Sequence, residues 1–398
     1  MNPSVKRLAI VVSHPIQYFV PLYQRLALRP DIAIKVFYTW HAAQQPVEDR
    51  GFKQFVAWDI PLTAGYDFEL VPNTSRDPGT HRFFGLRNAG LVERVLAWRP
   101  DAALICGWAW WSHLRALYAL RRRGVCCLFR GDSHLLDADQ SGPRWRLKYA
   151  LLRRVFALPS GFLVVGSANR AYYERFGVDP ARLYPCPHSI DIARFAEPES
   201  DFEQEASDWR RRLCIAPDRP VLLYAGKFEP RKRPAELMRI VQRLDPPNAV
   251  LILVGGGELQ GEIDAIAASD PERFRVLPFQ NQSRMPVVYR LADICVLPSA
   301  YGESWGMAVN EALACGRPVL VSDRVGCAAD LVDADCGGIF PWNDEPAWQR
   351  VTEAMIGNRE ALLGMRTAAA RRAVRFDISA TEETLVDALA GACAGCRR

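Results

Sequence analysis

No stretch of the 398-residue sequence approaches the roughly 18 consecutive apolar residues that a membrane-spanning helix requires. At the start, Lys6-Arg7 precede only Leu8 to Val12 before Ser13-His14-Pro15. That run is too short for a secretion signal and reads as a first strand, so a cytoplasmic setting is expected. A charge excess of one sign is also missing. The 50 Lys and Arg exceed the 45 Asp and Glu by only five, which gives no reason to expect nucleic acid as a partner. A disulfide framework is not expected either: the 11 cysteines are odd in number, and their contexts are mostly apolar. Most of them, Cys106, Cys126, Cys127, Cys295 and Cys315 among them, sit in apolar contexts where cysteine acts as a small hydrophobe in a reducing compartment. Cys393-x-x-Cys396 has metal or redox spacing but no second pair in reach. Low-complexity tracts and clear internal repeats are absent. So is a Walker A sequence, since Gly226-Lys227 is followed by Phe228. Gly255-Gly256-Gly257 fails the dinucleotide fingerprint at Gln260 and reads as a tight turn lying near a nucleotide. Asp137-x-Asp139 and Asp333-x-Asp335 are acid pairs of a kind that arises often by chance, so no metal is expected.

What is present is an alternation of short apolar strands with amphipathic helices. Leu8–Val12, Ile32–Tyr38, Ala102–Cys106, Val125–Phe129 and Gly161–Val165 read as strands, with helices at Val20–Leu28, Ala89–Trp98, His113–Arg122 and Arg144–Phe156. Alternation of this kind predicts a parallel sheet covered on both faces, with ligands at the carboxyl ends of the strands. His14, Trp108, Asp132 and His134 all follow strand ends. From His41 to Arg87 the chain is loop-rich and aromatic, carrying Phe52, Phe55 and Trp58 among others. Such a segment is either a binding insertion or a satellite aromatic cluster. The acid-rich stretch Glu197–Asp208 reads as a solvated linker, after which α/β alternation resumes with strands at Val221–Ala225, Val250–Val254 and Arg275–Leu277. The length and this break predict two domains of roughly 180–200 residues. Ser379-x-x-Glu382 has the form of a capping box opening a last helix, Ala380–Ala390.

The most informative stretch runs from Pro298 to Pro318. An apolar strand, Ala292–Leu297, leads into Pro298-Ser299-Ala300-Tyr301-Gly302-Glu303-Ser304-Trp305-Gly306-Met307, and a helix is predicted from about Ser304 to Cys315, closed by Gly316. Gly306 falls in the first turn, where a missing side chain lets a ligand approach backbone N–H groups. Glu303 and Glu311 flank that anion site and are suited to accept hydrogen bonds from hydroxyls attached to the anion. A phosphate between two polyhydroxylated groups describes a nucleotide sugar. Gly226-Lys227-Phe228-Glu229-Pro230-Arg231-Lys232-Arg233 places four cations within seven residues at another strand end, suited to a diphosphate. Lys227 and Lys232 are the expected direct contacts; the plainer reading is a solvated basic loop.

These residues carry a resemblance. Gly226-Lys227 with Lys232, the pair Glu303-x7-Glu311, Pro187-His188-Ser189-Ile190-Asp191-x3-Phe195, Pro278-Phe279-Gln280 and Pro298-Ser299 occur in the order seen in retaining glycosyltransferases of the GT-B fold, family 4. The likeness covers about Cys186–Phe340. It implies an α/β protein with two Rossmann-like parallel-sheet domains facing an interdomain cleft: an acceptor domain at 1–196, a nucleotide-sugar domain at 197–375, and a helix at 376–398 crossing back to the first domain. The resemblance further implies a metal-independent, hexosyltransferase-type enzyme working in cell-surface polysaccharide or glycolipid synthesis. Its donor would be a UDP-, GDP- or ADP-sugar, and its acceptor a saccharide or a lipid-linked saccharide.

By motif, Glu303 would bind donor-sugar hydroxyls, Glu311 ribose hydroxyls, and Lys227 and Lys232 the diphosphate. Gly226, Gly256, Ser304, Trp305, Gly306 and Met307 would lie along the donor, and the backbone near Phe279 and Gln280 would meet the base. Asp132 and His134 stand loosely where the family keeps a cleft histidine. Ser13-His14-Pro15 replaces its Gly-rich first loop, with His14 either at the donor or packed in the loop. Other readings on this fold are a nucleotide-sugar epimerase, a sugar phosphorylase, or a non-catalytic nucleotide-sugar binder. The basic, amphipathic stretch Arg144–Arg154, with Arg121-Arg122-Arg123, predicts either contact with an anionic membrane surface or an ordinary exposed helix.

Overall fold

The computed structural model describes residues 5–41, 47–49, 51–245 and 248–396. It divides into two compact units: Met1–Gln45, Pro61–Ser189 and Ile378–Arg398 form the first, and Pro46–Ile60 with Ile190–Asp377 the second. In chain order the strands are β1 (Lys6–Val12), β2 (Ile32–Tyr38), β3 (Val47–Asp49), β4 (Gln54–Val56), β5 (Phe68–Leu70), β6 (Ala102–Cys106), β7 (Cys126–Arg130), β8 (Gly161–Val164) and β9 (Leu183–Pro185). They continue as β10 (Val221–Lys227), β11 (Val250–Gly256), β12 (Phe274–Pro278), β13 (Ile294–Leu297), β14 (Val319–Ser322) and β15 (Gly337–Phe340).

The first unit is built on a parallel sheet ordered β5-β2-β1-β6-β7-β8-β9. Its strands are near-continuous Val, Ile, Leu and Ala runs because both faces are covered. Along β1, Leu8, Ile10 and Val12 pack with Leu385, Ala388 and Leu389 of the helix Ile378–Cys396. Ala9 and Val11 join Val95, Leu117 and Leu120 on the opposite face. This alternation is the period-2 geometry of a strand read on its two sides.

The second unit's sheet is ordered β12-β11-β10-β13-β14-β15, again parallel throughout. Both sheets reverse strand order beside their own first strand, β1 against β6 and β10 against β13. At such a switch point the loops leaving two neighbouring strands diverge to opposite faces and open a crevice at their carboxyl ends.

Three expectations are corrected. The acid-rich stretch after residue 197 is the helix Glu199–Arg212, not a linker. Its acids are used: Glu203 takes the buried Arg290 and Arg317 guanidiniums, Glu205 pairs with Arg284, and on the same helix Arg210 reaches Asp293. Ser379 lies inside the last helix, which begins at Ile378, and the Glu382 carboxylate is taken by Arg25 at 2.7 Å and Arg29 at 3.3 Å. The helix predicted from Ser304 is shorter, Met307–Ala314, because Gly306 turns at φ +99° immediately before it.

Candidate functional site

The second unit gathers its charged residues at the switch point. β10 ends in Gly226-Lys227, and its register sets Lys227 opposite Gly256 of β11. The turn Pro230–Lys232 follows, and Lys232 Nζ reaches Glu303 Oε2 at 2.7 Å, with both side chains 14% exposed. Ser299, at the end of β13, donates to the same oxygen at 3.0 Å. Burial by itself favours the protonated acid, but Lys232, Arg231 and the Ser299 hydroxyl outweigh it and hold the Glu303 carboxyl below its usual range. Glu303 is therefore ionised at neutral pH. Two further contacts tie the loops together: Ala300 N–H donates to Arg231 O at 2.8 Å, and the Arg231 side chain donates through Nη1 to Gly302 O at 2.9 Å.

Glycines let these loops approach one another. A Cβ on Gly255 would sit 1.9 Å from the Gly226 carbonyl oxygen, and Gly255 has φ +149°. A Cβ on Gly306 would press within 2.8 Å of Val325 and 2.9 Å of Leu297. Gly306 thus serves chain reversal and packing, and it stands just before the helix, not in its first turn as the sequence predicts. It precedes the helix Met307–Ala314, whose positive dipole end therefore lies at this loop.

The Trp305 side chain is buried at 3% exposure and its indole N–H donates to Asn310 Oδ1 at 2.8 Å, which leaves its backbone for the donor contact suggested by motif. Glu311 is also buried, with Oε2 accepting from the Tyr289 hydroxyl at 2.6 Å. Phe279 and Gln280 follow β12, at the far end of the same edge.

A neighbouring element comes from far earlier in sequence. The antiparallel hairpin of β3 and β4 belongs to the second unit, where Asp49 Oδ1 lies 2.8 Å from Lys227 Nζ and Phe52 meets Phe279 edge-on at 4.8 Å. A cavity of about 490 Å³ opens between Phe52, Gly255, Gly256, Gly257 and Phe279. Asp49 was not legible as a site residue, and Phe52 and Ser299 were named from the sequence only within a segment and a motif, without a role. The aromatic richness of 41–87 was the one signal for the hairpin, and it did not say where the segment packs.

In the first unit, Asp132 and His134 follow β7 and His14 follows β1, all on the carboxyl edge of that sheet. Asp132 is exposed. His134 Nδ1 accepts from Leu136 N–H at 3.2 Å and lies 3.7 Å from Asp137. His14 sits in a ring cluster with Trp40 and His41, its Nδ1 2.9 Å from Ser13 Oγ. Arg130, missed in the sequence, is buried at the end of β7, where it donates to Cys186 O at 3.1 Å and approaches His188 at 3.4 Å. Three histidines here are held neutral. Burial, then His41, lowers His14 to about 4; burial lowers His113 to about 4; and burial, then Arg130, lowers His188 to about 3.

The acid pairs have structural partners. Asp139 caps a turn through Ser141, and Asp333 pairs with Arg372. Among the described residues no three His, Cys, Asp or Glu side chains gather as a metal site, and the side chain of Cys396 lies outside the described residues.

The comparisons with known proteins agree with this layout. Residues 205–372 match the family model described as glycosyl transferases group 1. The D-inositol 3-phosphate glycosyltransferase of Nocardia farcinica is 29% identical over 234 residues, 56% of this chain and 50% of its own length. The chain spans about half the length of the curated relatives it matches. Among solved structures, sucrose-phosphate synthase of Thermosynechococcus elongatus superposes with TM-score 0.71 at 17% identity, covering 96% of this chain and 98% of that one. HepE of Anabaena in complex with UDP superposes with TM-score 0.73 at 16% identity, covering 97% and 100%. At such identities the likeness establishes the fold.

The histidines generate a prediction with a defined sign. Their folded-state pKa values lie below the ordinary value of about 6.5, so below that pH the unfolded chain binds protons that the folded chain refuses. Stability is full above about pH 6.5 and falls as the pH drops toward about 4, by up to ~1.4 kcal/mol per pH unit for each histidine. The urea midpoint of the first unit is expected to fall between pH 7 and 5, before ordinary carboxylates titrate. A midpoint constant over that range would show these histidines to be protonated in the fold.

Proposed function

We propose that this chain, whose residues 205–372 belong to the glycosyl transferases group 1 family and whose two Rossmann-like units give the GT-B fold, is a retaining glycosyltransferase. It moves a sugar from a nucleoside-diphosphate sugar to a hydroxyl of a saccharide or lipid-linked acceptor, in the synthesis of a surface polysaccharide or glycolipid. The observation that carries this reading is the Lys232–Glu303 pair at the β10/β13 switch point, with Lys227 closing β10. The UDP held by HepE supports a nucleoside diphosphate as the ligand class.

In this reading the diphosphate lies between Lys227, Lys232 and the N-terminus of Met307–Ala314. Cations and aligned N–H groups there stabilise the negative charge that develops on the leaving group. The bond from the anomeric carbon to the diphosphate oxygen breaks, and the acceptor oxygen bonds that carbon on the same face. The acceptor proton passes to the departing diphosphate oxygen. Glu303, ionised and fixed by Lys232 and Ser299, accepts hydrogen bonds from donor-sugar hydroxyls and orients the sugar without reacting. Glu311, fixed by the Tyr289 hydroxyl, serves the ribose, and the 490 Å³ cavity beside Phe279 receives the base. The first unit, with His14, Asp132 and His134 on its carboxyl edge, is assigned to the acceptor.

Membrane contact belongs to the same proposal. On the helix Gly142–Phe156, Leu147 is 73% and Leu151 48% exposed, four residues apart on one face, among the exposed Arg146, Lys148 and Arg154. Exposed leucines ringed by cations suit the interface of an anionic bilayer, where a lipid-linked acceptor resides.

Two measurements test this reading. Nucleoside diphosphate release from UDP-, GDP- and ADP-sugars is expected to depend on an added acceptor, which separates transfer from epimerisation. A Glu303→Gln variant is expected to keep its fold, because the amide oxygen still accepts from Lys232 and Ser299, while turnover drops roughly 100-fold. Wild-type turnover in that variant removes Glu303 from the mechanism. For the surface helix, co-sedimentation with anionic liposomes is expected to fall sharply in Leu147→Ser/Leu151→Ser. Binding that ignores both the substitutions and lipid charge contradicts the membrane assignment.

A further inference from the structure

The hairpin that comes from the first half of the sequence is fastened to the second unit at both ends. Beyond β4, Asn281 Nδ2 donates to Ala57 O at 2.6 Å, and Ser283 N–H donates to both Asp59 carboxylate oxygens at 3.2 Å. At the other end, Asp49 Oδ1 accepts from the Gly51 and Phe52 N–H groups at 2.8 and 3.1 Å and from Lys227 Nζ at 2.8 Å. The fit around Lys227 is close: a Cβ on Gly51 would fall 2.5 Å from Lys227 Cδ and 2.6 Å from Glu229 Oε1. The ammonium also lies 5.1 Å from the centre of the Phe52 ring. Burial would raise the Asp49 carboxyl, but Lys227 and the two backbone N–H groups more than offset it. A carboxylate therefore stands on the lysine that the functional reading assigns to the diphosphate.

We propose that Asp49 is a built-in anion that holds Lys227 in the absence of donor and must be displaced by the donor's diphosphate, so that the β3–β4 hairpin sets donor affinity. The inference rests on the reading of Lys227 as a diphosphate ligand. Carboxylate and phosphate oxygens compete for the same ammonium, and the diphosphate, with more charge and more acceptor oxygens, wins when it arrives. Both side chains of the resident pair are 29% exposed, so the pair is partly screened and its release is small in energy. Asp49 touches no substrate in this scheme; it acts through Lys227.

The test is calorimetric titration of the full chain with UDP, GDP and ADP, and with the corresponding nucleosides. Asp49→Asn keeps the oxygen that accepts from Gly51 and Phe52 and removes the charge. The variant is expected to bind the preferred nucleoside diphosphate about 2–5-fold more tightly, with affinity for its nucleoside unchanged. In a Lys227→Met background the same substitution is expected to change nothing, as a double-mutant cycle requires of a pair acting as one unit. Unchanged or weaker diphosphate binding by Asp49→Asn overturns the proposal, as does tightening that persists without Lys227. Binding of none of the three diphosphates, by wild type or variant, defeats the reading of the site itself and the proposal with it.

Discussion

The second unit depends on one ion pair, Lys232 with Glu303. Its partners stand on the loops after β10 and β13, neighbours in the sheet but about seventy residues apart in the chain, and at 14% exposure neither is well solvated. Removing one member of a buried pair leaves the other uncompensated, at a cost on the order of 3–5 kcal/mol. The pair therefore locks the two loops in one arrangement, reinforced by Ser299 below it and the Arg231 contacts beside it. The pair thus fixes the positions of a carboxylate and an ammonium in the crevice before any ligand arrives.

That arrangement exists because the backbone can come so close. β10, β11 and β13 run parallel, so their carboxyl ends meet on one edge, and Gly255 and Gly306 remove the side chains that would hold the loops apart. Larger residues there would meet a carbonyl oxygen or the packed Val325 and Leu297. The second unit is thus specified twice: by apolar strands that set the sheet, and by a few small residues that set the edge.

Much of this was legible in the sequence because it rests on local signals. Strand runs such as Val250–Val254 are continuous and apolar, and the Lys227–Lys232 and Glu303–Glu311 spacings tie chemistry to strand ends. What was not legible depended on distant partners. The acids of 197–208 resembled a linker until Arg290 and Arg317 supplied their counter-charges. Glu382 looked like half of a capping box until Arg25 and Arg29 claimed it. Trp305 carried a family motif, yet Asn310 turned its indole inward. The hairpin containing Asp49 and Phe52 was visible only as aromatic composition, since nothing local told which unit it would join.

The most direct test of the site is hydrogen–deuterium exchange of the full chain with and without a saturating nucleoside diphosphate. Protection is expected in three loops of the second unit, 226–233, 255–257 and 303–309, where the ligand would contact or order the backbone. Protection confined to other segments, with these three unchanged under demonstrated binding, would contradict the placement of the diphosphate at the Lys232–Glu303 crevice.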